Sequence, residues 1–336
     1  MSEPHTEPDA LPQQRTQVTV RTAGGPDGLS VQMAPMPVPA AGDLVVRMEA
    51  AGVAFGDITQ RQGRNPGKVP AVLGYDVVGV VVAVGPDTPG FVLGQRVAAL
   101  TMTGGYASHV VAPARWTVQV ADELDAPQLS ALTLNYLTAW QMLHRAAHVE
   151  AGQSVLILGA AGGVGSALTE LALLAGASVY GTASARHHAD LAARGVKVVA
   201  DAGALPELVD ATFDPVGGPS LARSRRATKR TGVVVAFGFS FVVDAGYSRA
   251  GGLIRAVRAI IRAKIVPGAR LVNFQIAASG TKDPAALRAD LTRLVGLLAD
   301  GSLTPRVRTL PLARAADAHR LLENRQASGK LVLLAE

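Results

Sequence analysis

Val155-Leu-Ile-Leu-Gly-Ala-Ala-Gly-Gly-Val-Gly165 decides how this chain is read. Val155 to Leu158 form an apolar run of strand length. Gly159, Gly162, Gly163 and Gly165 follow at once, in GxxGxxG spacing rather than strict GxGxxG. Ser166-Ala-Leu-Thr-Glu-Leu-Ala-Leu-Leu-Ala175 then carries apolar side chains at helical intervals. Strand, glycine turn and helix together aim backbone N–H groups and a helix N-terminus at a pyrophosphate. Glycine is required because a Cβ would block the turn or the approach of the phosphate. Such a cluster is weak alone, since a plain tight β–α turn uses the same residues.

The following residues strengthen it. Ala177-Ser-Val-Tyr-Gly-Thr-Ala183, Gly195-Val-Lys-Val-Val-Ala200, Phe213-Asp-Pro-Val-Gly217 and Gly232-Val-Val-Val-Ala-Phe-Gly238 read as further strands, with a short helix over 189–194. Alternating strands and helices imply a parallel, doubly wound sheet with its ligand outside the carboxyl ends of the strands. An NAD site places Asp or Glu at the end of the second strand. Thr182-Ala-Ser-Ala-Arg-His-His188 offers no acid before Asp190. Ser184 can donate to a phosphate oxygen and Arg186 can pair with one bidentately, so the pattern selects NADPH. The alternative for Arg186 is a solvated residue at a helix start.

The chain has 336 residues, a length suited to about two domains. It is 49% hydrophobic and 17% charged, a globular balance. It has no cysteine, which excludes disulfides, zinc–thiolate sites and a cysteine nucleophile. The net charge of +6 comes without a compact basic run interleaved with aromatics, so nucleic acid is not expected. Arg223-Ser-Arg-Arg-Ala-Thr-Lys-Arg230 reads as a solvated helix face. No apolar run reaches membrane-spanning length and the N-terminus does not resemble a signal peptide. A cytoplasmic protein without a membrane partner is the simplest expectation.

Residues 1–15 are polar and Pro-rich and read as a disordered tail. From Gln17 onward, strand-like segments near 17–21, 29–33, 43–51, 73–84, 95–100 and 106–111 alternate with turns, as in a small antiparallel barrel. Helices are expected from Asp125 and over 137–147. The apolar run from Leu253 to Val266 reads as a helix that walls a core or a substrate pocket, and 287–298 as an amphipathic helix. Arg306-Val-Arg-Thr-Leu310 and Lys330-Leu-Val-Leu-Leu334 are strands expected to return to the first domain.

Seven segments, in order, resemble the medium-chain dehydrogenase/reductase superfamily, and more narrowly its zinc-independent quinone oxidoreductase (zeta-crystallin-like) branch. They are Ala51-Gly-Val-Ala-Phe-Gly-Asp57, Gly74-Tyr-Asp-Val-Val-Gly79 and its continuation to Gly85, Gly104-Gly-Tyr-Ala107, Leu134-Asn-Tyr-Leu-Thr-Ala139, the glycine loop, Asp214-Pro-Val-Gly-Gly218 and Ser328-Gly-Lys-Leu-Val332. The resemblance implies an α/β protein: a GroES-like β-barrel catalytic domain, over 16–130 and 277–336, and a Rossmann NADPH-binding domain over 131–276. It also implies a homodimer. It places Asn135 and Thr138 beside the nicotinamide, and Gly162, Gly163, Val164 and Gly165 under the pyrophosphate. Ser184 and Arg186 fall at the 2′-phosphate, Phe237, Gly238 and Phe239 near the nicotinamide ribose, and Asn273 and Gln275 near the carboxamide. Ala54, Phe55 and Thr59 would line the substrate pocket. Many relatives carry Asn at the position of Ala54 and some carry Tyr at that of Thr59, so this cleft is wider and less polar.

His144 and His148 stand at i, i+4, but no third ligand is evident, so no metal is expected. No Ser/His/Asp order around a nucleophile turn is visible. The leading expectation is zinc-independent hydride transfer from NADPH to a quinone or to the C=C bond of an α,β-unsaturated carbonyl, with a small hydrophobic conjugated acceptor as partner. A donor must meet the charge that develops on the acceptor oxygen. Tyr75, Tyr106 and water are the candidates, and the alternative for both tyrosines is a structural role. Two rivals are a biosynthetic enoyl reductase for a larger hydrophobic intermediate and a non-catalytic NADPH-binding or membrane-associated scaffold.

Overall fold

A computed structural model describes residues 11–64, 69, 71–238, 258, 261 and 268–335. Strand Ser154–Leu158, all five residues buried, is the axis of a six-stranded sheet. Ser178–Thr182 and then Lys197–Val198 lie on one side of it. Val209–Asp214, Thr228–Ala236 and Arg270–Asn273 lie on the other. Every neighbouring pair is parallel. Counted within this sheet the spatial order is 3-2-1-4-5-6, that of a doubly wound dinucleotide fold. The first strand is apolar throughout because parallel strands are covered on both faces.

The other half is antiparallel. Asp43–Val53 pairs with Asp76–Val84, His109–Pro113 and Lys330–Leu334. Arg96–Leu100 and Thr117–Gln119 extend the sheet beyond Asp76–Val84. Val307–Pro311 runs parallel to Lys330–Leu334 at the opposite edge, so the last strands do return to the first half of the chain. A second, three-stranded sheet is built on Gln14–Val20. That strand begins three residues before the apolar alternation suggests, because its polar start pairs with Leu29–Pro35.

The two helices expected between 125 and 147 form one continuous run over 126–146. The junction residues Leu132, Leu137 and Gln141 all have right-handed helical φ and ψ. Two stretches, Leu132–Tyr136 and Gln141–Ala146, are wound as wider π-type turns, a form that concentrates at functional sites. This run packs against both sheets: its buried leucines share one core with Val155, Ile157, Ala98 and Val332. A second core fills the antiparallel half around Leu44, Val46, Leu73 and Leu333.

Candidate active site

The parallel strands end on one edge of the sheet, and the expected cofactor residues follow those ends. The glycine loop follows Leu158, Ser184 and Arg186 follow Thr182, and Phe237 and Gly238 follow Ala236. Asn273 ends the last strand and is exposed, as is Gln275 two residues on. Phe239 lies outside the described residues, and so does the Leu253–Val266 run apart from Arg258 and Ile261.

The loop's tightness is measurable at two glycines. A Cβ on Gly165 would lie 2.1 Å from the Gly159 carbonyl oxygen, so the first helical turn packs onto the preceding backbone. A Cβ on Gly163 would lie 2.5 Å from Asn135 Nδ2. Asn135, from the first wide turn of the 126–146 run, therefore stands directly against the N-terminus of helix Gly163–Leu174. Its side chain is buried, yet no protein group among the described residues hydrogen-bonds its amide. Thr138 lies three residues on, on the same face, and is also buried. The backbone N–H of Gly329 reaches the Ala161 carbonyl at 3.3 Å, so the C-terminal strand borders the loop. Gly162 is exposed at the helix start, leaving the N-terminal N–H groups open to an anion.

At the end of the second strand, Ser184 and Arg186 are exposed. The Arg186 guanidinium donates to His187 Nε2 at 3.0 Å, and among the described residues no carboxylate pairs with it. Asp190 is the first acid after this strand. Its carboxylate is engaged by Arg306 at 2.5 Å, an ion pair that holds the carboxyl below its ordinary pKa.

The catalytic-domain residues gather at the short helix Phe55–Arg61. Ala54 caps it, half-buried, and Phe55 is 38% exposed. The Thr59 hydroxyl donates back to the Gly56 carbonyl at 2.8 Å, so its polarity is spent within the helix. Tyr75 packs onto this helix start, its Oη 2.4 Å from where a Gly56 Cβ would be. Tyr106, the other candidate donor, is fully buried and its hydroxyl donates to Asp57 Oδ2 at 3.1 Å. Burial first, and then the Asp57 charge, hold that phenol well above its ordinary pKa. Tyr106 therefore cannot reach an acceptor and belongs to the scaffold.

Asp57 is the residue that reading the pattern missed. Its buried carboxylate accepts from the Ala54 and Gly74 N–H groups, each at 2.8 Å, as well as from Tyr106. Burial pushes its pKa up to about 6 despite these three donors and Lys330. Asp76 and Lys330 were also missed. They form a buried ion pair at 3.0 Å, with Ser130 Oγ donating to Asp76 at 2.6 Å. Both lie in the resembling motifs, where the only signal is a charged residue at the first position of an apolar strand.

His144 and His148 do not share one helix face. The helical run ends at Ala146, His148 has φ +53°, and the His144 ring lies tilted against Trp140 with centroids 4.1 Å apart. The basic stretch is in part a solvated helix face: Arg223 and Arg226 are exposed on Ser220–Ala227, whereas Arg225 is buried and donates to the Gly268 carbonyl. Asp214 anchors the neighbouring loop, accepting from the Val216 and Gly217 N–H groups and from Ser220 and Ser224.

Residues 40–122 match the family described as the alcohol dehydrogenase GroES-like domain, and residues 184–333 match the one described as zinc-binding dehydrogenase. The synaptic vesicle membrane protein VAT-1 homolog of Mus musculus is 30% identical over 334 residues, covering 93% of this chain and 81% of that protein. The chain belongs to the medium-chain dehydrogenase/reductase superfamily, in its quinone oxidoreductase branch. Among solved structures, the quinone oxidoreductase of Coxiella burnetii is 28% identical with a TM-score of 0.83, over 96% of this chain and 100% of that one. A mycobacterial member complexed with NADPH is 28% identical with a TM-score of 0.81, over 95% and 99%. No group of three metal-ligating side chains occurs among the described residues, and the chain has no cysteine. No helix among the described residues is long and apolar enough to cross a membrane.

Proposed function

We propose that this medium-chain oxidoreductase reduces quinones, or the C=C bond of α,β-unsaturated carbonyl compounds, with NADPH and without zinc. The observation that carries the reading is the shape of the sheet edge. A glycine cradle with open N–H groups, Asn135 against it, and Ser184 and Arg186 without a carboxylate beside them suit a phosphorylated dinucleotide. Bound there, NADPH supplies a hydride from C4 of its dihydronicotinamide.

The chain's own residues hold and orient. Gly162, Gly163, Val164 and Gly165 receive the pyrophosphate, and Asn135 and Thr138 face the nicotinamide. Phe237, Gly238, Asn273 and Gln275 border the ribose and carboxamide. Ser184 and Arg186 neutralise the 2′-phosphate. Ala54, Phe55 and Thr59 form a cleft wall with little unspent polarity, suited to a bulky apolar acceptor. The acceptor takes up a hydride at carbon and a proton. Tyr75, only partly buried beside the helix start, is the candidate we assign to donate that proton, with solvent as the alternative source.

Without a Lewis acid, an acceptor that spreads the arriving charge by conjugation needs less polarisation. Enones and quinones therefore turn over, and saturated ketones do not. Steady-state kinetics with NADPH deuterated at C4, with mass analysis of the products, test this. Deuterium on a carbinol carbon of saturated ketones, with enones untouched, would show a carbonyl reductase instead. NADPH binding without turnover of any acceptor would show a scaffold. A homodimer in the cytoplasm remains the accompanying proposal.

A further inference from the structure

Asp57 joins two stretches of backbone that are distant in sequence. Oδ2 accepts from the N–H of Ala54, and Oδ1 from the N–H of Gly74, both at 2.8 Å. Ala54 begins the segment that carries Phe55, and Gly74 immediately precedes Tyr75. The same two segments touch directly where Tyr75 Oη packs onto Gly56. One buried carboxylate thus sets the spacing of both.

The carboxylate is itself held from behind. Arg61 Nε donates to His319 Nδ1 at 3.2 Å, which leaves the His319 proton on Nε2. His319 Nε2 then donates to Tyr106 Oη at 3.1 Å, and Tyr106 donates to Asp57 Oδ2 at 3.1 Å. Asp57, Arg61, Tyr106 and His319 all have buried side chains. Arg61 is anchored in turn by Glu323 and by the Gly24 carbonyl at 2.6 Å. The line runs from helix Ala315–Glu323 to the cleft wall.

We propose that Asp57 is a positioning residue for the acceptor: its carboxylate fixes the segments bearing Ala54–Phe55 and Tyr75, and the Arg61–His319–Tyr106 line keeps it oriented. This rests on the reading of those segments as acceptor-facing. An Asn at position 57 would offer one acceptor oxygen and an NH2, so one backbone N–H would meet another donor. The acceptor's wall would shift while the dinucleotide cradle, built on the other sheet, would not.

The full-length Asp57→Asn protein should show a KM for a quinone or enone raised about tenfold, with NADPH affinity within about twofold of the parent, as expected for a misplaced wall. Hydrogen exchange followed by mass spectrometry should quicken in the peptides holding the Ala54 and Gly74 amides. Tyr106→Phe removes one of the three donors to Asp57 with little change of shape. It should give the same pattern at about two- to threefold, and it decides the matter if Asp57→Asn does not fold. Faster exchange with an unchanged acceptor KM overturns the positioning role. A raised KM with unchanged exchange overturns it as well. If the parent protein turns over neither quinone nor enone, the functional reading fails. The exchange arm then decides the clamp alone: faster exchange at both amides upholds it, and unchanged exchange removes it.

Discussion

On the proposed reading, Arg186 is the side chain on which the choice between phosphorylated and unphosphorylated cofactor turns. Its guanidinium is exposed at the end of the second parallel strand, and Arg306 takes up the one acid that follows. Arg186→Ala should weaken NADPH by about 1–3 kcal/mol, the worth of a hydrogen bond to a charged group, and leave NADH unchanged. Fluorescence titration with both cofactors checks this; equal weakening would remove Arg186 from the 2′-phosphate. The exposed placement of Ser184 and Arg186 after the second strand was legible because they sit at a fixed offset from the glycine loop. Asp57 was not, because its partners lie 17, 49 and 3 positions away and only the folded chain brings them together. Tyr106 was open to two readings, structural residue or donor, and its burial favours the first. A tyrosine in a motif looks like a donor to substrate until its burial shows where the hydroxyl points.

The strand Lys330–Leu334 closes the antiparallel sheet between Val307–Pro311 and Asp43–Val53. Its first residue also places a buried ammonium on Asp76. Lys330→Met would leave that carboxylate uncompensated, and removing one partner of a buried pair costs about 3–5 kcal/mol. The midpoint of urea denaturation should fall accordingly. Adding Asp76→Leu should recover most of the loss, since no charge is then left buried. A single variant as stable as the parent would show that Ser130 and Gly52, which also donate to Asp76, suffice. The return of this strand was legible from its apolar run and late position. The parallel elements were legible too, since alternating apolar strands and helices allow few topologies. The continuous 126–146 run was not, because the wider i→i+5 turns at Leu132–Tyr136 and Gln141–Ala146 carry the apolar positions off the 3.6-residue spacing that marks one helix.

Across the whole molecule, the Asp57–Tyr106–His319 line makes a statement about pH. Burial raises Asp57 to about 6, above its ordinary value near 4. Burial, and then the Arg61 charge, lower His319 to about 3, below its ordinary value near 6.5. Taken alone, Asp57 contributes stability that is fully present below pH about 4 and lost as pH rises through about 6. Taken alone, His319 contributes stability that is present above pH about 6.5 and lost as pH falls towards about 3. Between about pH 4 and 6 the folded pair binds one proton, on Asp57, and the unfolded pair binds one, on His319. The two slopes cancel, and the pair leaves stability flat in that window. Removing either member uncovers the other. His319 owes its shift to burial and Arg61, so it keeps that shift in Asp57→Asn. Relative to the parent, Asp57→Asn should therefore gain stability as pH rises from 4 to 6, by on the order of 1 kcal/mol per pH unit for one proton. His319→Gln should lose stability over the same interval at a similar rate. Urea midpoints for the three proteins at pH 4, 5, 6 and 7 measure both slopes, and curves parallel to the parent's would show that the two groups do not titrate as a compensating pair.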